Sequence, residues 1–389
     1  DNYLTDVLGR LADRWLSKSS TRRTPFFLEL ATFAPHAPFV PAPRDRHLFG
    51  GLRLPKTPAF NAATTDPPDW LAGKPALTRF RMREMAAIFR LRAQDVRGVD
   101  DMIGDLVDTL KRNHEWNNTY FVFSSDNGYH IGEHRLSGGK LTAFDTDINV
   151  PLVIVGPHIE PNTTIDRLAE NIDLRPTFDE WGGTRPQQPI DGRTLTPLLR
   201  AGAAPGQVAG WPRAVLVEHH GPDLDPLPPT DPDHPVTEDP NAATPPSYEA
   251  MRTADGLYVE YLDGQREYYD TRTDPFEVDN IWPRLPFPLQ RRLHVELSRL
   301  ESCTNRPGCD TTALVVSPSI RLRPAPPPSP SPSSSASPSA GASASPQPSG
   351  SASARPSPSR RPSAPAVSSG PTGTSGSPRR HRPWPFPRS

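Results

Sequence analysis

The sequence predicts an α/β fold: a partial mixed or parallel sheet sandwiched by helices, followed by a small α+β antiparallel-sheet subdomain and a disordered tail. Three observations predict it. In the first half of the chain, β-branched and aromatic runs (PFFLELATF, TYFVFSS, VPLVIV) alternate with stretches of helical periodicity. Beyond Gly202 the runs become short and alternating around an Asp263-Gly264 turn, as antiparallel hairpins require. From Ser317 onward the chain is Ser, Pro, Ala and Gly with scattered arginines, too poor in apolar side chains to offset its ordering entropy. These shifts divide the chain into 1–205, the α/β portion; 206–316, the subdomain; and 317–389, the tail.

Leu4, Val7, Leu8, Leu11 and Trp15 recur at helical spacing and predict a helix, and PFFLELATF after it reads as a buried strand. That strand ends in Ala34-Pro35-His36-Ala37-Pro38, where two prolines exclude further ladder pairing and stiffen the backbone around one histidine. A polar loop runs to about Ala76. Met85, Phe89, Val96, Val99, Ile103, Leu106 and Leu110 keep to one stripe of a long amphipathic helix. TYFVFSS is the continuous run expected of a strand covered on both faces, and Val150 to Val155 is a second such run, stopped by Gly156-Pro157. A helix follows from Asn171 to Trp181, ended by Gly182-Gly183, then a short helical piece from Leu195 to Leu199. AVLVEH, GLYVEYLDG and REYYDT supply the antiparallel sheet, with a helix from Pro288 to Leu300, and the Pro- and Asp-rich stretch Gly221 to Ser247 is a surface loop.

The formal charge of −1 conceals a body of −10 and a tail of +9, since nine arginines and no acidic residue follow Ser317. Such a tail can contact anionic surfaces, but its arginines are scattered rather than clustered with aromatics, so it reads first as a spacer and no nucleic-acid partner is expected. No run is long enough for a transmembrane segment. No signal peptide is visible, and because the chain opens on Asp1 rather than Met, the true amino terminus is expected upstream. Cys303 and Cys309, in CTNRPGC, suggest one local disulfide and an oxidising, secreted, cell-surface or periplasmic setting, with two unrelated thiols as the alternative.

The stretch FVFSSDNGYHIGEHRLSGGK gathers many polar groups at the end of a strand. In open α/β sheets, ligands bind at the carboxyl ends of strands, which also places the APHAP tip near a site. Asp126 and Asn127 offer hard oxygen donors suited to calcium or magnesium; an ordinary Asp-Asn-Gly turn is the plain alternative. Lys140, after Gly138-Gly139, can clamp an anionic group that also touches the metal. His130 and His134 flank the same loop and serve either substrate contact or loop hydrogen bonding. Asp173 and Asp191 read as caps and turn formers.

In order and spacing, PFFLELATFAPHAPFVPAPR, VDDMIGDLVDTL, NTYFVFSSDNGYHIGEHRLSGGK, INVPLVIVGPHI, NIDLRPTFDEWGGTRPQQPIDGRTLTPLLR and YEAMRTADGLYVEYLDGQREYYDTRTDPFEVDNI resemble the second half of a sulfatase of the alkaline phosphatase superfamily. The pattern is similar to the N-acetylglucosamine-6-sulfatase and arylsulfatase type. The resemblance implies an alkaline-phosphatase-like sheet and sulfuric ester hydrolysis on a sulfated carbohydrate or aryl sulfate. It implies that Asp126 and Asn127 are Ca2+ ligands, that Lys140 binds the sulfate, and that His36 contacts the sulfate or protonates the departing alcohol. The family's nucleophile is a formylglycine made from the cysteine of a C-x-P-S-R motif; no such motif occurs here, so it is expected in the missing front portion and this chain is expected to be inactive alone. A phosphodiesterase or phosphonate monoester hydrolase of the same superfamily, or a degenerate non-catalytic sulfatase module, are the alternatives.

Overall fold

The periodic residues near the start of the chain do form a helix, α1 (Leu4–Ser20), but its inner face is turned from the expected one: Thr5, Ala12 and Leu16 are buried, while Leu4 and Leu11 stay half exposed. The partner helix decides this. In the computed structural model, which describes residues 3–20, 24–185, 188–201, 208, 211, 214–221, 239–304 and 322–323, α1 packs along α2 (Arg79–Arg112), and the side chains that meet are Ala12 and Leu16 with Val99, Met102, Leu106 and Leu110. Thr78 caps α2 by accepting from the Arg81 amide at 3.2 Å, and Lys111 and Arg112 in its last turn complement the helix dipole.

The run PFFLELATF is extended but belongs to no ladder among the described residues, contrary to the strand expected there. Its alternation is real: Phe26, Leu28 and Leu30 pack onto the two helices, and Phe27 and Phe33 on the other face are 65% and 54% exposed. The next two runs are strands, β1 (Phe121–Ser124) and β2 (Leu152–Val155), paired antiparallel with Phe121 opposite Val155 and Ser124 opposite Leu152. The expectation of cover on both faces is not met, since Phe123, Val153 and Val155 remain partly exposed. Phe121 packs on one face of the pair with α1 and α2, and Ile154 on the other face with Leu174, Leu195 and Leu198.

Three short helices follow: α3 (Asp145–Ile148), α4 (Leu174–Trp181) and α5 (Thr196–Ala201). The rear sheet is four-stranded and antiparallel throughout, in the order β3 (Ala214–His219), β4 (Tyr248–Thr253), β5 (Gly256–Tyr261), β6 (Arg266–Asp270). Both faces of this sheet are covered. Leu257, Val259 and Tyr269 pack on one side with Leu136, Ala143 and Phe144, while Tyr258 and Tyr268 pack on the other with Leu293, Leu297 and Leu300 of α6 (Phe287–Glu301). The first of these clusters therefore ties the loop after β1 to the rear sheet. Apart from Leu322 and Arg323, the expected tail lies outside the described residues, as do residues 222–238 of the expected surface loop.

Candidate active site at the end of β1

After Ser124 the backbone turns on its own side chains. The Ser125 hydroxyl donates to the Asn127 carbonyl at 2.9 Å, and Asp126 Oδ1 accepts from the Asn127 amide at 3.0 Å. Gly128 then runs against α3, donating to the Asp147 carbonyl at 2.7 Å, and the Tyr129 amide donates to the Thr146 carbonyl at 2.7 Å. A Cβ at position 128 would lie 2.1 Å from the Thr146 oxygen, so the close approach of the two backbones requires glycine. His130 and Gly139 exchange two backbone hydrogen bonds of 3.0 Å, closing the intervening residues into a loop. The closure returns Lys140 to the tip, where its Nζ donates to Asn127 Oδ1 at 3.1 Å.

Asp147 fastens this loop from beneath. Its buried carboxylate accepts from His130 Nδ1 at 2.9 Å, from the Thr142 amide at 2.9 Å and from the Thr142 hydroxyl at 2.7 Å. Burial alone would raise the carboxyl, but the neighbouring His130 and these hydrogen bonds outweigh it and hold Asp147 below its ordinary value. The Asn171 side chain steadies the same tip from another loop, donating to the Ser125 carbonyl at 3.0 Å.

The two loop histidines are both buried, the placement expected of loop hydrogen bonding. His130 is fully buried on Asp147. His134 is 3% exposed, lies 3.1 Å from the Thr64 hydroxyl through Nδ1 and stacks on Phe144 at 3.9 Å; burial, then the nearby His130, pushes its imidazole down to about 3. Both serve the loop itself. His36 is half-buried between two cis prolyl bonds, with Nδ1 3.0 Å from the Ala37 carbonyl and its ring 5.4 Å from that of Phe33. Arg92 of α2 reaches the segment on either side of it, donating to the Pro35 carbonyl at 3.1 Å and lying 5.6 Å from the Phe39 ring, while resting 3.9 Å from the centroid of Tyr129.

Asp173 is a buried cap, accepting from the Glu170 and Arg193 amides at 3.0 and 2.6 Å. Cys303 follows α6, and Cys309 lies outside the described residues. Arg92, Asn171 and Asp147 were not singled out by the sequence. Asp147 alone carried a signal, as a second acid two residues after Asp145.

Chemically, the tip presents an exposed carboxylate and a half-buried amide oxygen beside an ammonium group. These donors fit a hard divalent cation in kind, but supply two of the roughly six to eight oxygens that calcium takes. Among the described residues, no cluster of three or more His, Cys, Asp or Glu could hold a metal.

The Sulfatase family model matches residues 1–184. The chain is 34% identical over 342 residues to human N-acetylglucosamine-6-sulfatase, a match that covers 83% of this chain and 60% of that protein, so it spans less than two thirds of that relative's length. Among solved structures, one in complex with its substrate D-glucosamine-2-N,6-O-disulfate superposes with a TM-score of 0.64 at 20% identity, covering 77% of this chain and 69% of the other. The phosphonate monoester hydrolase of Agrobacterium radiobacter superposes at 0.57 and 22% identity, covering 77% and 62%, so the fold is shared by both kinds of hydrolase. The chain carries, over residues 1–184, a domain of the sulfatase family.

Proposed function

We propose that the protein is a sulfuric ester hydrolase acting on a sulfated sugar. The contact between Lys140 and Asn127 at the end of β1 carries this reading: it sets a cation next to a hard-donor pair, where one sulfate group can meet both. In this reading Asp126 and Asn127 hold part of a calcium ion's shell, and the ion, when bound, draws electron density from the sulfate oxygens. Lys140 neutralises the sulfate and orients it. His36, on its proline-bracketed segment, sits against the ester and gives a proton to the departing alcohol oxygen. The formylglycine nucleophile belongs to a C-x-P-S-R motif that these 389 residues do not contain. The chain by itself therefore binds calcium weakly and turns over no sulfate ester.

Asn127 also weighs against the phosphonate reading, because an amide oxygen suits calcium, whereas transition metals favour imidazole at such positions. Cys303 and Cys309 are proposed to pair, which suits action outside the cytosol.

The coding sequence upstream of Asp1 provides the first test. An in-frame C-x-P-S-R or S-x-P-S-R is expected, and its absence points to a non-catalytic module. A longer form containing the motif is expected to hydrolyse a 6-O-sulfated glucosamine in preference to a phosphonate monoester, and to lose on the order of 10²–10³-fold in kcat with Lys140→Ala. Preference for the phosphonate, or indifference to Lys140→Ala, overturns the reading.

A further inference from the structure

Three separate segments build the candidate site: 33–39 with His36, the tip 126–129, and the turn 137–140 with Lys140. One side chain touches the first two directly and reaches the third through Tyr129. The guanidinium of Arg92 is half-buried and donates to the Pro35 carbonyl at 3.1 Å, one residue from His36. Its central carbon lies over the Tyr129 ring, 3.9 Å from the ring centre and two residues beyond Asn127, and 5.6 Å from the centre of the Phe39 ring. Tyr129 in turn presses its hydroxyl end onto Gly138, where a Cβ would come within 2.5 Å of the phenolic oxygen. A planar cation that hydrogen-bonds through its edge while stacking through its face can hold two segments in register at once, which an ammonium cannot do.

We propose that Arg92 is a positioning residue of the sulfate-ester site, a bracket that fixes the His36 segment against the Asp126-Asn127 tip and, through Tyr129, against the Gly138-Gly139-Lys140 turn. This rests on the function proposed above. Asp95, on the same helix, accepts a hydrogen bond from the Tyr3 hydroxyl at 2.5 Å and attracts the Arg92 cation, while the site-side contacts of Arg92 are a carbonyl and two aromatic rings. His36 and Lys140 approach the ester from different segments, and a change in the spacing of the two segments would separate sulfate binding from protonation of the alcohol.

Hydrogen exchange read by mass spectrometry on the full 389-residue chain tests the bracket, because exchange reports local opening segment by segment. Arg92→Met is expected to speed exchange about tenfold in peptides 33–40, 126–131 and 136–141 together, with peptides from β4, β5 and β6 unchanged. Arg92→Lys, which keeps the charge but not the edge-and-face geometry, is expected to fall between wild type and Arg92→Met. Carbethoxylation of His36 by diethyl pyrocarbonate is expected to quicken in the same order. Unchanged exchange, loosening of one segment alone, or loosening that extends equally into the rear sheet overturns the proposal. If Arg92→Met does not fold, Arg92→Lys must still loosen the three peptides, or the proposal fails. The two readings fail separately: coordinated loosening without sulfatase activity in any longer form removes the function and keeps the bracket, whereas unaltered exchange removes the bracket whatever the activity.

Discussion

Replacing Asp147 with Asn isolates what holds the candidate site in place. The carboxylate accepts from His130 Nδ1, from the Thr142 amide and from the Thr142 hydroxyl, all in a buried setting. An asparagine keeps one acceptor oxygen and turns an NH2 group toward partners that are themselves donors, so at least one buried group loses its bond. Breaking a buried charged pair by removing one partner costs about 3–5 kcal/mol. At about 2–4 °C per kcal/mol for a domain of this scale, the melting temperature is expected to fall by roughly 10 °C. Urea unfolding of wild type and Asp147→Asn, followed by tryptophan fluorescence, measures the difference directly. The pH dependence supplies a second check with a definite sign. The folded carboxyl is held below its usual 3.8, so its stabilisation is complete above that value and is lost as pH falls through the folded value. The gap between the two proteins is thus expected to narrow as pH falls below 3.8. A loss smaller than about 1 kcal/mol, or a gap that does not narrow in acid, refutes the argument that this carboxylate is charged and fully engaged.

Three further substitutions have expected outcomes. Glu267 is fully buried between the Tyr261 and Tyr269 hydroxyls, each at 2.6 Å, and burial raises its carboxyl from 4.5 to about 7 against those two bonds. The folded state then holds the proton more tightly, so stability falls as pH rises through that window, by about 3 kcal/mol in all. Glu267→Gln removes this slope, and chemical unfolding at several pH values that shows a flat difference between the two proteins contradicts it. His134 has the opposite sign: with its imidazole at about 3 rather than 6.5, only the unfolded chain takes up a proton between those values. It therefore lowers stability by about 1.4 kcal/mol per pH unit on acidification, a slope that His134→Gln should abolish in the same titration. Gly128→Ala drives a methyl group into the Thr146 carbonyl and is expected to cost at least about 2 kcal/mol; a variant as stable as wild type shows that the backbone there can yield.

The long helix and the β5–β6 hairpin were legible because their signals are local: a sustained apolar stripe for α2, and Asp263-Gly264 between alternating runs, with Gly264 at φ 86°. β4 was overlooked although it lies between β3 and β5, because YEAMRT mixes charged and small residues and gains its strand character from neighbours on both edges. PFFLELATF shows the converse, a strand-like pattern without a ladder partner among the described residues. At the site, strand termination and a returning lysine could be read from glycines and polar residues. The burial of His130 and His134 could not, because it depends on Asp147 and Phe144 brought in by α3 and by the rear sheet. Arg92 gave no one-dimensional signal at all, since its partners stand at positions 35, 39 and 129.

The rear sheet also reaches forward. Arg252 on β4 takes both oxygens of Asp145 at 2.7 and 2.8 Å, Glu277 accepts from the Asp145 amide at 2.8 Å, and the Tyr248 hydroxyl donates to the Leu141 carbonyl at 3.2 Å. These ties splint the segment that Gly128 leans on, so the rear sheet is scaffolding for the candidate site rather than a dispensable appendix. Shortening the polypeptide ahead of Tyr248 would leave every candidate ligand in the sequence and unmoor the surface that aims them.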